Sequence, residues 1–169
     1  MDFRRQLAAE MPVLRRFARA LTGDAALADD LVQDCLERAL AKAHLYDPSR
    51  PLRAWLFTVL RNLHVSGLRQ SRRSQVVKTV DDLVDGEGAV APDQEHRLAV
   101  GSVTEALARL APQHREVILL VGLEEMSYRD VSEILGVPIG TVMSRLSRAR
   151  EQMRQLLEDR GHAGLRRVK

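Results

Sequence analysis

One cysteine, Cys35, is all the chain has, which excludes an internal disulfide and any multi-cysteine zinc site. Aromatic residues make up only 4%, and Val, Ile, Thr and aromatics are nowhere concentrated as strands require. Long apolar runs are missing too. The longest, residues 117–121, is far too short to span a bilayer. Residues 1–10 mix acids with bases and lack the apolar core of a signal peptide, so a cytoplasmic protein without membrane insertion is expected. His44, His64, His96, His114 and His162 are scattered without the i, i+4 spacing that places two ligands on one helix face. Each is expected as a surface or partly buried helix residue. No nucleotide loop or nucleophile constellation is present, so neither catalysis, a small-molecule substrate, a cofactor nor a metal is expected.

What the chain does have is Ala, Leu, Arg and Glu, a mixture that favours helix. Its 169 residues suit one medium domain or two small ones, and a hydrophobic content of 45% allows a packed core. Charge is segregated along it. Residues 1–72 hold 12 basic and 8 acidic residues, 73–95 hold 2 and 6, and 96–169 hold 12 and 9. Of the 26 basic residues 23 are Arg, whose planar fork suits phosphates and guanine edges better than Lys does. A GC-rich genome would produce the same excess, so the placement of the arginines has to carry the argument.

Periodicity divides the chain into two helical blocks. Val13, Leu14, Phe17, Ala18 and Leu21 follow helical spacing until Thr22, Gly23 and Asp24 stop them. Leu27, Leu31, Cys35 and Ala39 form the next stripe, with Asp24 as its cap. After the turn "YDPSRP", a third helix carries Leu52, Trp55, Leu56, Val59, Leu60 and Leu63, and basic "RQSRR" closes the block. Residues 74–95 are acidic, bear Gly and Pro, and lose periodicity, as a flexible linker does. In the second block Leu98, Val103, Leu107 and Leu110 predict a helix ending at Ala111 and Pro112. "QHREVILLVGLEE" predicts another. The expected fold is therefore all-α: two small helical domains, 1–73 and 96–160, joined by an acidic linker and followed by a basic tail, 161–169.

The last part of the second block has a plan of its own. Ser127-Tyr128-Arg129-Asp130 reads as a capping box opening a helix of about nine residues. Gly136-Val137-Pro138 breaks it, and a longer helix runs from about Ile139 to Leu157. A short helix, a tight Gly-bearing turn and a second helix make a helix-turn-helix. Val142, Leu146, Ala149, Met153 and Leu156 form the buried stripe of the second helix. Thr141, Ser144 and Arg148 fall on the opposite face, with Arg145 and Arg150 flanking the stripe. Small polar groups and Arg forks are what entry into a major groove needs. An amphipathic helix with a solvated basic face is the plainer alternative for any one of these arginines.

"SYRDVSEILGVPIGTVMSRLSRAR" resembles the carboxy-terminal DNA-binding domain of bacterial extracytoplasmic-function (ECF) sigma factors. "ALADDLVQDCLERAL" and "RAWLFTVLRN" resemble the other domain of that family, which binds the polymerase core and opens the promoter. Together the matches run in order through both blocks and cover nearly the whole chain up to about Asp159.

The resemblance implies a role for each matching position. Asp30, Gln33, Asp34 and Glu37 would bind the clamp helices of the largest subunit of core RNA polymerase. Their spacing places them on one helix face, where acids complement a basic partner, although a plain solvated face has the same spacing. "RAWLFTVLRNLHVSGLRQSRR" resembles the segment that captures a base flipped from the −10 element. Asn62 would bond a base edge and Arg61, Arg69, Arg72 and Arg73 would hold phosphates, with His64 at a variable position. Trp55 could stack on a base, but its register with Leu52 and Val59 assigns it to the core. For the −35 element the implied residues are Thr141, Met143, Ser144, Arg145, Ser147, Arg148 and Arg150. At Met143 relatives often carry Lys or Arg, so apolar contact with a thymine methyl is the expected substitute. Cys35 falls in an apolar stripe and is expected as inert packing.

The function so implied is that of an ECF-type sigma factor directing core RNA polymerase to −35/−10 promoter DNA in a stress response, with an anti-sigma factor as a further partner. Two alternatives use part of the same features: a dimeric helix-turn-helix regulator, and a sigma mimic that occupies an anti-sigma protein.

Overall fold

The computed structural model describes the backbone of residues 3–75 and 94–165 and the side chains of 3–70 and 101–158. Among these the only regular structure is helical. The chain divides into two compact units, Met1–Gly88 and Ala89–Lys169. The predicted linker lies outside the described residues except at its two ends, where 74, 75, 94 and 95 are helical. Of the predicted tail, 161–165 continue the last helix and 166–169 lie outside the described residues. No described helix is long and apolar enough to cross a membrane.

The first unit packs α1 (Phe3–Thr22), α2 (Ala25–Ala41) and α3 (Leu52–Gln75) against one another, with a short 3-10 turn at Ala43–Leu45. Gly23 takes a left-handed φ of 73°, which a side chain resists, and its N–H caps α1 by donating to the Arg19 carbonyl at 2.9 Å. One residue later the Asp24 carboxylate accepts the Leu27 N–H at 2.8 Å and opens α2, as the sequence predicts. Phe17 and Phe57 meet edge-on at 4.8 Å in the centre, beside buried Leu14, Leu56 and Leu60. Arg53 and Glu10 tie α3 to α1 through a 2.7 Å ion pair.

Two expectations shift here. The buried stripe of α2 is Ala28, Val32, Cys35 and Ala39, while Leu27 is 60% exposed and Leu31 half-buried. Both registers have helical spacing and share Cys35 and Ala39, and the fold buries the one that begins with Ala28 and Val32. Trp55 is half-buried rather than central, in an aromatic cluster with Tyr46 at 5.5 Å and Phe3 at 6.4 Å. It packs as expected, at the edge of the core.

The second unit contains α4 (Gln94–Arg109), α5 (Pro112–Ile118), α6 (Tyr128–Leu135) and α7 (Ile139–Leu165). Pro112 starts α5, where its missing N–H costs nothing. Arg115 then reaches back, its Nε donating to the Leu107 carbonyl at 2.7 Å and its guanidinium to the Ala108 carbonyl, which satisfies the end of α4. Leu110 is buried there, but Val103 on the same face is 41% exposed. The helix expected over "QHREVILLVGLEE" widens into a π turn at Leu119–Leu123. Five consecutive apolar residues cannot all face inward at ordinary helical pitch. Leu119 and Leu120 within this turn are both buried.

Candidate nucleic-acid interface

The helix-turn-helix forms where the sequence places it. Ser127 Oγ accepts the Asp130 N–H at 3.1 Å and donates to the Asp130 carboxylate at 2.6 Å, closing the cap of α6. Gly136 ends α6 with φ 64°, the left-handed conformation that the break requires. Pro138 contributes its carbonyl, which accepts the N–H groups of Thr141 and Val142 at 2.9 and 3.1 Å as α7 begins. Val142, Leu146 and Ala149 are buried against the rest of the unit, with Met153 and Leu156 half-buried behind them. His114, buried on α5, shares a 2.8 Å hydrogen bond with Gln152 and so pins the middle of α7.

That register decides what α7 presents. Ser144, Ser147, Arg148 and Arg150 are exposed, and Met143 is 53% exposed. Thr141 and Arg145 are half-buried at the edge of the stripe. Thr141 accordingly faces less outward than its helical angle suggests, and its carbonyl accepts the Ser144 hydroxyl at 3.1 Å.

Electrostatics separate the arginines of this helix into two kinds. Arg154 is paired with Glu151 at 2.7 Å and with Glu158 at 2.9 Å. Gln155 also donates to Glu151, at 2.8 Å. Hydrogen bonds from Arg154 and Gln155 hold the Glu151 carboxyl below its ordinary pKa. The acid nearest the basic face is therefore already engaged. The side chains of Arg145, Arg148 and Arg150 make no ion pair or hydrogen bond among the described residues. Along the first twelve residues of α7 these leave one unneutralised guanidinium group facing outward, Arg148, and one on each flank, each suited to phosphates or guanine edges.

In the first unit, Asn62 and Arg69 are exposed and share the face of α3 opposite Leu56 and Leu60, about 10 Å apart along the axis. Arg61 and His64 are half-buried, and each is engaged in an interaction within the fold. Residues 69–73 continue α3 as helix. The side chains of Arg72 and Arg73 lie outside the described residues.

On α2, Asp30, Gln33, Asp34 and Glu37 are all exposed. Gln33 donates to Glu37 at 3.0 Å, while Asp30 and Asp34 have no partner among the described residues. Neighbouring Asp29 differs, being held by Arg15 at 3.1 Å and Arg19 at 3.7 Å. Leu27 stands exposed beside Asp30 and Asp34, a member of this face that spacing assigned to the core. Its signal in the sequence was the equal fit of the 28, 32, 35, 39 register.

Comparison with known proteins gives a family match for each of the two units. Residues 7–61 match the family described as the Sigma2 domain of PhyR, and residues 101–153 match Sigma-70, region 4. The chain is 40% identical over 162 residues to the ECF RNA polymerase sigma factor EcfG of Rhodopseudomonas palustris, covering 92% of this chain and 85% of that protein. It is 38% identical over 150 residues to the ECF RNA polymerase sigma factor SigL of Mycobacterium tuberculosis, covering 88% and 85%. Among solved structures, the sigma factor RpoE co-crystallised with the anti-sigma factor NepR from Bartonella quintana superposes with a TM-score of 0.82 at 38% identity, covering 93% of this chain and 97% of that one. The chain belongs to the family of ECF RNA polymerase sigma factors.

Proposed function

We propose that the protein binds core RNA polymerase, directs it to two-part promoters and assists melting of the −10 region in a stress response, acting in the cytoplasm. On this reading residues 1–73 bind polymerase and the −10 element, and residues 96–160 bind the −35 element. The polymerase supplies the chemistry. The observation that carries the reading is the unpaired set on α7, Arg148 facing outward and Arg145 and Arg150 on the two flanks of the buried stripe, beside a Glu151 engaged elsewhere.

The α2 face supports the polymerase contact. Asp30 and Asp34, unpaired and exposed, with Leu27 beside them, would meet a basic and partly apolar surface on the clamp helices of the largest subunit. Asn62 and Arg69 are the −10 residues the fold favours, one with an amide for a base edge and one with a cation for the backbone. An anti-sigma factor completes the partner set, since the similar RpoE was crystallised with one.

A second reading, a mimic that occupies an anti-sigma protein, draws on the match of residues 7–61 to the PhyR domain. A mimic has no use for the basic outward side of α7. Run-off transcription with purified core polymerase on a promoter library, with sequencing of the starts, separates the two. Promoter-specific transcripts are expected, and their absence at every salt concentration would favour the mimic.

A further inference from the structure

Ile139 and Met143 are large apolar residues, 45% and 53% exposed, on the first two turns of α7. At i, i+4 they are neighbours on the helix surface. Neither belongs to the buried stripe of Val142, Leu146 and Ala149. Ser147, four residues beyond Met143, and Arg150, seven beyond, continue the same flank and are exposed. Two adjacent hydrophobes thus sit on the flank of the helix that continues into Ser147 and Arg150. Single exposed apolar residues need no explanation, but a contiguous pair at the groove-entering end of a recognition helix does.

In the major groove thymine is the one unmodified base that offers an apolar group, the methyl on C5. A cytosine methylated at C5 carries the same group at the same place on the ring. We propose that Ile139 and Met143 together form an apolar step that reads C5-methyl groups in the −35 element, and that promoter use therefore responds to C5 methylation of a cytosine at that position. The proposal rests on the assignment of α7 to the −35 element. It adds Ile139 to the residues that set specificity and names the chemical group they read. Ser147 and Arg150 would hold the backbone beside it, bringing the step against the base edges.

The test uses the full chain with core polymerase and a −35/−10 promoter duplex. Thymines of the −35 element are replaced one at a time by deoxyuridine, which removes the methyl and keeps every hydrogen-bonding group. Burying one such carbon is worth about 0.8 kcal/mol, so at one or two positions affinity should fall about fourfold. Met143→Leu should keep this preference. Met143→Gln, of similar length but polar, should lose it, and Ile139→Ala should weaken it. At the sensitive position a 5-methylcytosine·guanine pair should bind about fourfold more tightly than a cytosine·guanine pair. Deoxyuridine equal to thymine throughout, or a methyl preference unchanged in the double variant Ile139→Ala, Met143→Gln, overturns the proposal. So does equal binding of cytosine and 5-methylcytosine. Scrambling the whole −35 element provides the control: if that leaves binding unchanged, the assignment of α7 itself has failed and the proposal falls with it.

Discussion

The Ser132 hydroxyl donates to the Val137 carbonyl at 2.6 Å, and the Val137 N–H returns a 3.1 Å bond to the Ser132 carbonyl. This reciprocal pair ties the end of α6 to the turn that leads into α7. Ser132→Ala should cost about 1 kcal/mol, one ordinary hydrogen bond. Gly136→Ala should cost roughly 1–2 kcal/mol, because its left-handed backbone is unfavourable for any side chain although the space around it is open. Urea denaturation followed by circular dichroism checks both, and an unchanged midpoint for either would remove that residue from the account of the turn.

Arg148 and Arg154 lie on one helix but differ in their surroundings. Arg148→Ala should weaken −35 binding by roughly 1–3 kcal/mol and relax the preference at one base pair if it reads a base. A loss uniform across sequences, with a shallower salt dependence, would assign it to phosphate instead. Arg154→Ala should leave DNA affinity within about 0.5 kcal/mol, as its charge is shared between Glu151 and Glu158. Titration of the holoenzyme on labelled duplex at several salt concentrations measures all three effects.

Asp34→Arg should lower affinity for core polymerase several-fold through like-charge contact while leaving the fold intact. Leu27→Ala should act in the same direction, and its cost to stability should stay within about 0.5 kcal/mol because the side chain is 60% exposed. Binding of labelled protein to core enzyme, read beside a thermal melt, tests the pair. Core affinity unchanged in both variants would move the polymerase contact off this face.

Burial pushes the Cys35 thiol up to about 12. Its Sγ–H donates weakly to the Leu56 carbonyl at 3.6 Å. The folded protein should therefore resist thiol reagents at neutral pH and react only on unfolding. The sign of the linkage follows from the raised value: this thiol's contribution to stability is complete below the unfolded pKa of about 8.5 and is lost as pH rises towards 12. The slope from this group should approach 1.4 kcal/mol per pH unit, about what one proton released only on unfolding imposes. A Cys35→Ala comparison isolates it, and equal alkaline slopes in the two proteins would contradict the assignment.

Much of the fold was legible because local chemistry left few alternatives. Asp24, Gly23, Ser127, Gly136 and Pro112 act within a few residues of themselves, so their effect on helix ends reads directly from the chain. Burial was less legible wherever two registers had the same period. Leu27 looked like a core residue by size, yet Ala28 and Val32 took its place. Phe57, at the centre of the first unit, was missed because its neighbours Leu56 and Leu60 already completed a stripe. The resemblance groups Arg61 with Asn62 and Arg69, while the fold engages Arg61 and leaves the other two exposed.

By itself the sequence determined an all-helical chain in two basic blocks, the position of the helix-turn-helix and the side of α7 that faces away from its core. Those properties depend on periodicity, capping and turn chemistry, which operate over one to four residues. Tertiary structure alone decided which charged groups remain available. Whether an Arg or Asp is free depends on what approaches it in space: Arg15 and Arg19 take Asp29 from another helix, and no described group takes Asp30, Asp34, Arg148 or Arg150. The same packing turned Leu27 out to solvent and left Ile139 and Met143 exposed side by side at the start of α7.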